Sequence, residues 1–461
     1  MTKDRKMADA WFRAVEVAGK TFSANKKGGL QHKPLDIFLL VLLHGLPNRR
    51  RPVESLLKNK IRNGSFNDDL ITKTFTLHKL ALAAHFNTLH QMAECLLHSG
   101  MEPVLARFST ILHREMFVNF GRFSQQEIIS DLVTNISSCG YSATFPGSAD
   151  NISGGGSVRS SALSTLKYLS ENYTSQMSNY SHFVAHILEY LDTMSLSQIR
   201  QVMDIISLLS YAAPEKANTV RDDVHIMVRK QLTTGGTRGS GNIKNKVKRM
   251  GIIGAVILVK NMSLAAMRDE SERVETSRPS QDTSTGSTTS STSILKQAIE
   301  VLERVKNATQ NAGELAGLFM DELSCVVQEG KIAKEIVEWI STKMADEFQD
   351  VFVDDYQLDD LVEKDDYPNR NFYLPMSLQY NIENITEQDS NSEEPIVNIA
   401  IDLTKKSENS NSQSSWNEDN FIHKNSQFCN MVDCFIPHFR LLRVCVENRD
   451  EGEGGEVEGG V

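Results

Sequence analysis

Residues 70–97 read LITKTFTLHKLALAAHFNTLHQMAECLL. Leu77, Leu80, Leu82, Phe86, Leu89, Met92 and Leu96 recur two to four positions apart. That spacing lines apolar side chains along one stripe of a helix. The stretch predicts one long helix, or two joined by a bend.

The same period extends in both directions. Ala8 to Ala18 mixes apolar and charged residues at helical spacing. Pro34 can occupy a first helical turn, with Leu35, Phe38, Leu39 and Leu42 behind it and Pro47 as a stop. Val53 to Ile61 predicts a shorter helix. Ser124 with Glu127, and Ser195 with Gln198, each have the spacing of a capping box ahead of an apolar run. Strand-like alternation is rare, with Ile396 to Leu403 the candidate. Helices in long succession, with no fixed-length repeat, predict an all-α fold: an α-solenoid of irregular HEAT-like helical pairs with disordered linkers.

Composition sets further bounds. A chain of 461 residues is too long for one core, and its net charge of -10 confines any nucleic-acid contact to local basic patches. Six cysteines without C-x-x-C spacing suggest free thiols in a reducing compartment. The start has no apolar signal-like run, and the runs Ile37–Leu43 and Gly251–Val259 are each too short to span a bilayer, so no membrane segment is expected. The Gly/Ser stretch 140–157, the low-complexity 277–293 and the polar 405–420 lack apolar residues to offset the entropy of ordering. Helical segments are accordingly expected over 1–139, 158–276 and 294–353. A mostly irregular region should cover 354–436, with a short apolar element and acidic tail over 437–461.

Val228-Arg-Lys-Gln-Leu232 is followed by Lys246-Val-Lys-Arg-Met-Gly-Ile-Ile-Gly-Ala-Val256. This pair of runs resembles the monoubiquitination region of the Fanconi anaemia group D2 family. Leu57-Lys-Asn-Lys-Ile-Arg62, Leu96-Leu-His-Ser99, Glu347-Phe-Gln-Asp-Val-Phe-Val353 and Pro437-His-Phe-Arg-Leu-Leu-Arg-Val-Cys-Val-Glu447 resemble the same family in the same order. Several runs in one order are more specific than any single motif. They correspond to a central stretch of a longer family chain. The segment between Leu232 and Lys246 is longer here than in the family.

The resemblance implies a non-enzymatic scaffold of DNA interstrand-crosslink repair, nuclear and chromatin-associated on damage, without a cofactor. It implies ubiquitin attached at Lys248, with Lys246 as its companion, by a RING-type ligase and its conjugating enzyme. It also implies a heterodimer with the related Fanconi group I protein that clamps double-stranded DNA. Lys248 follows a Gly-rich segment and precedes an apolar helix, which suggests an amine on a hinge beside a rigid element. Without the resemblance, lysines here would be a solvated helix flank. Gly251, Ile252, Ile253 and Gly254 are candidates for a partner interface, since small residues admit a close helix; packing inside the solenoid is the equal alternative. Arg49, Arg50, Arg51, Lys58 and Lys60 form the densest basic patch, a candidate for phosphate contact or a solvated rim.

Other chemistry has weaker support. Cys429, Cys434 and His438 match no standard zinc spacing, and no metal is expected there. No P-loop, G-x-S-x-G or H-E-x-x-H motif occurs. Two alternatives stay open: a generic helical interaction scaffold without a ubiquitin switch, and a hydrolase built on Asp354 and Asp355.

Overall fold

A computed structural model describes residues 2–17, 32–46, 48–99, 102–138, 152–212, 218–233, 241–276, 288–310, 312–354, 400–401 and 434–448. The fold is all-α and solenoid-like. Compactness divides the chain into two units, Met1–His225 and Ile226–Val461.

The first unit begins with α1 (Thr2–Val17), α2 (Pro34–His44), α3 (Arg50–Arg62), α4 (Asp68–Ala84), α5 (Phe86–Leu97) and α6 (Pro103–Asn119). It continues with α7 (Arg122–Ser138), α8 (Ile152–Asn172), the short α9 (Thr174–Met177) and α10 (Ser181–Ala185) with intervening 3-10 turns, and α11 (Leu196–Ala212). Alternate helices stack in a row: α2 on α4, α4 on α6, α6 on α8, and α8 on α11. α5 packs on α6, and α7 on α8, forming the second layer. Nearest-neighbour stacking of this kind is the mechanical definition of a solenoid. Aromatic residues fill the seam between α4, α5 and the end of α6, with Phe120 5.7 Å from Phe75 and 6.0 Å from Phe86 between ring centroids.

Local signals explain most starts and one failure. Pro34 and Pro103 open α2 and α6, where a missing N–H costs nothing. Ser195 and Gln198 close the expected capping box, with Ser195 N donating to Gln198 Oε1 (3.1 Å) and Gln198 N to Ser195 Oγ (3.3 Å). Ser124 does not cap. α7 already starts at Arg122, and the Gly121 carbonyl accepts the Gln125 N–H at 3.1 Å. The 70–97 pattern resolves into two helices: α4 kinks at His78 and ends before His85, where α5 begins. Leu82, Phe86, Leu89, Met92 and Leu96 are buried as expected, but Leu77 and Leu80 are exposed: they point away from the face that Ile71, Phe75 and Leu82 bury.

The division into units falls inside α12 (Asn218–Thr233). The second unit continues with α13 (Gly241–Thr276), α14 (Thr288–Thr309), α15 (Gly313–Gln328), α16 (Lys334–Phe352) and α17 (434–448). α13 is 36 residues long, about 54 Å at 1.5 Å per residue. It packs on both α14 and α15. Every residue from Met250 to Val259 is buried, the all-round apolar helix expected at the centre of a core. Within α13, Asn245–Asp269 is long and apolar enough to cross a membrane by length and composition, but 83% of its apolar window is buried inside the protein. α17 docks through His438, whose Nε2 donates to the Met344 carbonyl (2.7 Å), and through Phe348 against Phe435, His438 and Phe439.

Two expected linkers are shorter than anticipated. α8 begins at Ile152 and α14 at Thr288, so Gly154–Gly156 and the end of the low-complexity run lie in helical first turns. Donors in a first turn lack intrahelical partners in any case, so weak formers are tolerated there. Of the expected strand at Ile396–Leu403, β2 (Ala400–Ile401) is described. It pairs antiparallel with β1 (Val353–Asp354), Val353 opposite Ile401. The remainder of that strand, the 405–420 linker and the acidic tail lie outside the described residues.

Candidate functional site

Lys246 and Lys248 lie on α13, not on a hinge before it. The helix starts at Gly241, so both lysines sit inside regular helix, and the expected loop-mouth placement is corrected. Both are half-buried. Arg249 pairs with Glu314 at the start of α15. Lys248 has no hydrogen bond or ion pair among the described residues. Two residues on, at Met250, the helix enters the core. Lys248 therefore stands on the turn of α13 that precedes its buried stretch, Met250 to Val259.

The expected partner-facing residues are inside that packing. Gly251 and Gly254 are buried, and Ile252 and Ile253 are 1% and 0% exposed. Gly251 lies under α12: a Cβ there would meet Gln231 Cβ at 3.0 Å and the Leu232 nitrogen at 3.2 Å. The small residue is needed for close approach within the chain's own second unit. The four residues are buried within the chain's own packing and offer no surface to a partner in this arrangement, which corrects that expectation.

The basic patch on α3 is partly committed. Arg49 pairs with Asp9, and Arg50 Nε donates to Glu54 at 2.9 Å. Lys60 is buried and its Nζ donates to the Glu16 carbonyl at 3.1 Å, so it is a structural tie to α1 and not an open phosphate contact. Lys58 is half-buried, and Arg51 is exposed with no ion pair among the described residues. Arg51 is thus the most available cation of the five.

Of the weighed zinc trio, Cys429 lies outside the described residues. His438 spends one nitrogen on Met344, and burial lowers its pKa below the ordinary imidazole value. Asp355 and most of the acidic run also lie outside the described residues. A polar cluster that the sequence reading missed is His90, Glu94 and His113, buried between α5 and α6. Its available signal was the four-residue spacing of His90 and Glu94 on one helical face.

Comparison with known proteins covers the whole chain. The family profile described as "Fanconi anaemia protein FancD2 nuclease" matches residues 2–461. The Fanconi anemia group D2 protein homolog of Mus musculus is 28% identical over 99% of this chain, and that of Rattus norvegicus 27% identical over 99%. The Gallus gallus Fanconi anemia group D2 protein is 25% identical over 98%. The chain spans 27% of the length of each of these three relatives. A match running from residue 2 to residue 461, spanning all the helices just described, has one consequence: the chain belongs to the Fanconi anaemia group D2 family.

Proposed function

We propose that this chain is the ubiquitin-accepting part of a non-enzymatic scaffold for DNA interstrand-crosslink repair, with Lys248 as the acceptor. Family membership supports a Fanconi-pathway protein acting in DNA repair. The observation that carries the finer reading is a half-buried Lys248 with no hydrogen bond or ion pair among the described residues, two positions before the buried stretch of α13. Isopeptide formation needs a neutral amine that can reach a thioester carbonyl. A lysine already tied into an ion pair or hydrogen bond would first have to break it.

The rest of the proposal follows the family. The chain pairs with the Fanconi group I protein in the nucleus, a RING-type ligase and conjugating enzyme attach one ubiquitin, and the pair closes on double-stranded DNA at damaged chromatin. Phosphate contact, where Arg51 and Lys58 contribute, is sequence-independent and weakens with salt. Reconstituted conjugation with the ligase, the conjugating enzyme and the partner tests the assignment. Wild-type chain should gain one ubiquitin and Lys248→Arg none. Equal modification of the variant would overturn it.

The word nuclease in the family description favours one second reading, a phosphodiester hydrolase. Such chemistry commonly gathers carboxylates around two metal ions about 4 Å apart. The His/Cys/Asp/Glu group that the described residues bring together holds a single carboxylate. Magnesium- or manganese-dependent cleavage of branched DNA by the purified chain would favour the hydrolase instead.

A further inference from the structure

The row of stacked helices in the first unit contains a polar knot. His90 and Glu94 project from α5 and His113 from α6, and one ligand-capable atom from each lies within 4.8 Å of the other two. Glu94 Oε1 is 3.5 Å from His113 Nε2 and 3.8 Å from His90 Nε2. His113 is fully buried and the His90 side chain is 8% exposed. These three atoms, His90 Nε2, Glu94 Oε1 and His113 Nε2, are all buried without a hydrogen-bond partner. Buried polar atoms are usually satisfied, so three orphans facing one another require an explanation.

The groups behind them fix which atoms face inward. His113 Nδ1 lies 2.8 Å from the Ser109 carbonyl, which can only accept, so Nδ1 carries a proton and Nε2 of the neutral ring is the nitrogen that offers a lone pair to the centre. His90 Nδ1 faces the Asp131 carboxylate at 3.6 Å. Glu94 Oε2 accepts from Asn135 Nδ2 at 2.9 Å, leaving Oε1 for the centre. Imidazoles backed by a carbonyl or carboxylate, and a carboxylate held by an amide, are the outer partners that orient metal ligands. A single proton shared by Glu94 and His113 would still leave His90 Nε2 unpaired.

We propose that His90 Nε2, Glu94 Oε1 and His113 Nε2 bind one divalent transition-metal ion of the zinc class, clipping α5 to α6. Two imidazoles and one carboxylate suit zinc better than magnesium or calcium, which prefer all-oxygen shells. Bonds of about 2.0–2.2 Å in a tetrahedral shell set ligand atoms roughly 3.3–3.6 Å apart. The separations to Glu94, 3.5 and 3.8 Å, are near that, and binding requires the two imidazole nitrogens, within 4.8 Å of each other, to draw closer. Glu94 also lines an open groove of about 540 Å³ with Arg50, Arg51 and Cys95, so the cluster lies beside a solvent-facing surface.

The test uses the untagged full chain, stripped with a chelator and titrated with zinc chloride, with magnesium chloride as the control. One equivalent of zinc should bind and raise the melting temperature, and cobalt(II) should give the visible bands of a four-coordinate site. Glu94→Gln and His113→Asn should lose more affinity than the roughly 10- to 100-fold expected for the outer-partner variant Asp131→Asn. Circular dichroism checks that each variant is folded. If a variant does not fold, the cobalt spectrum of the wild-type chain decides alone. Absence of zinc binding by the wild type, or equal binding by the folded ligand variants, would overturn the proposal.

Discussion

Two stretches of this protein look alike on paper. Lys58-Asn-Lys-Ile-Arg62 on α3 and Lys244-Asn-Lys-Val-Lys-Arg249 on α13 share lysine, asparagine and an aliphatic residue at the same spacing. Their surroundings differ. On α3 the charges are largely answered within the fold: Arg62 makes a two-pronged contact with Glu102 (2.7 and 2.6 Å), and Lys60 is buried against the Glu16 carbonyl. On α13, Arg249 has Glu314, but Lys248 is left unengaged among the described residues. A basic run therefore reports surface charge only after its partners are known. What distinguishes an amine available for chemistry is what lies opposite it.

The largest effect expected from this contrast is all-or-none. Lys248→Arg should abolish ubiquitin conjugation, while Lys58→Arg leaves it intact; mass spectrometry of the diglycine remnant checks both. Conjugation surviving Lys248→Arg would erase the difference between the two runs. Next is Ile253→Ala, which removes a fully buried side chain from α13. It should destabilise the fold by about 2–5 kcal/mol in denaturant unfolding. A variant that kept its stability but lost a partner would restore the interface reading.

Lys60→Met should cost about 1–3 kcal/mol, the loss of a charged donor to a buried carbonyl. Its DNA affinity should keep the wild-type dependence on salt, since a buried ammonium releases no counterion. A slope reduced by about 0.9 would instead make Lys60 a phosphate contact.

The smallest effect concerns pH and the docking of α17. Burial holds His438 below the imidazole value of 6.5, against the opposing pull of its bond to Met344. The unfolded chain then takes up the proton first. This contribution is complete above about pH 6.5 and is lost as pH falls through the lower folded value. Melting of the wild type should drop more than that of His438→Gln between about pH 7.5 and 5.5. Parallel curves would show that His438 does not titrate on unfolding.

Much of the architecture was legible because helices declare themselves locally. Pro34 and the Ser195–Gln198 box act within one turn, and both performed as their spacing implied. Ser124 failed because a neighbouring carbonyl, Gly121, supplied an earlier start, a competition that spacing alone does not rank. Leu77 and Leu80 belong to the apolar run in sequence but not to the buried face, since Leu80 and Leu82, two positions apart, point to opposite sides of a helix. The site was harder. The runs singled out Lys248 as the expected acceptor, but the burial of Ile252 and Ile253 depends on packing against α14 and α15, which are distant in sequence. The knot at His90, Glu94 and His113 joins two helices and so had only half its signal, His90 and Glu94, within one segment.

The near-contact of Gly251 with Gln231 and Leu232 has a consequence for how this lineage can vary. Even alanine at position 251 would ask α12 or α13 to yield by a few tenths of an ångström, so drift at this one position is coupled to the placement of the turn that carries Lys248.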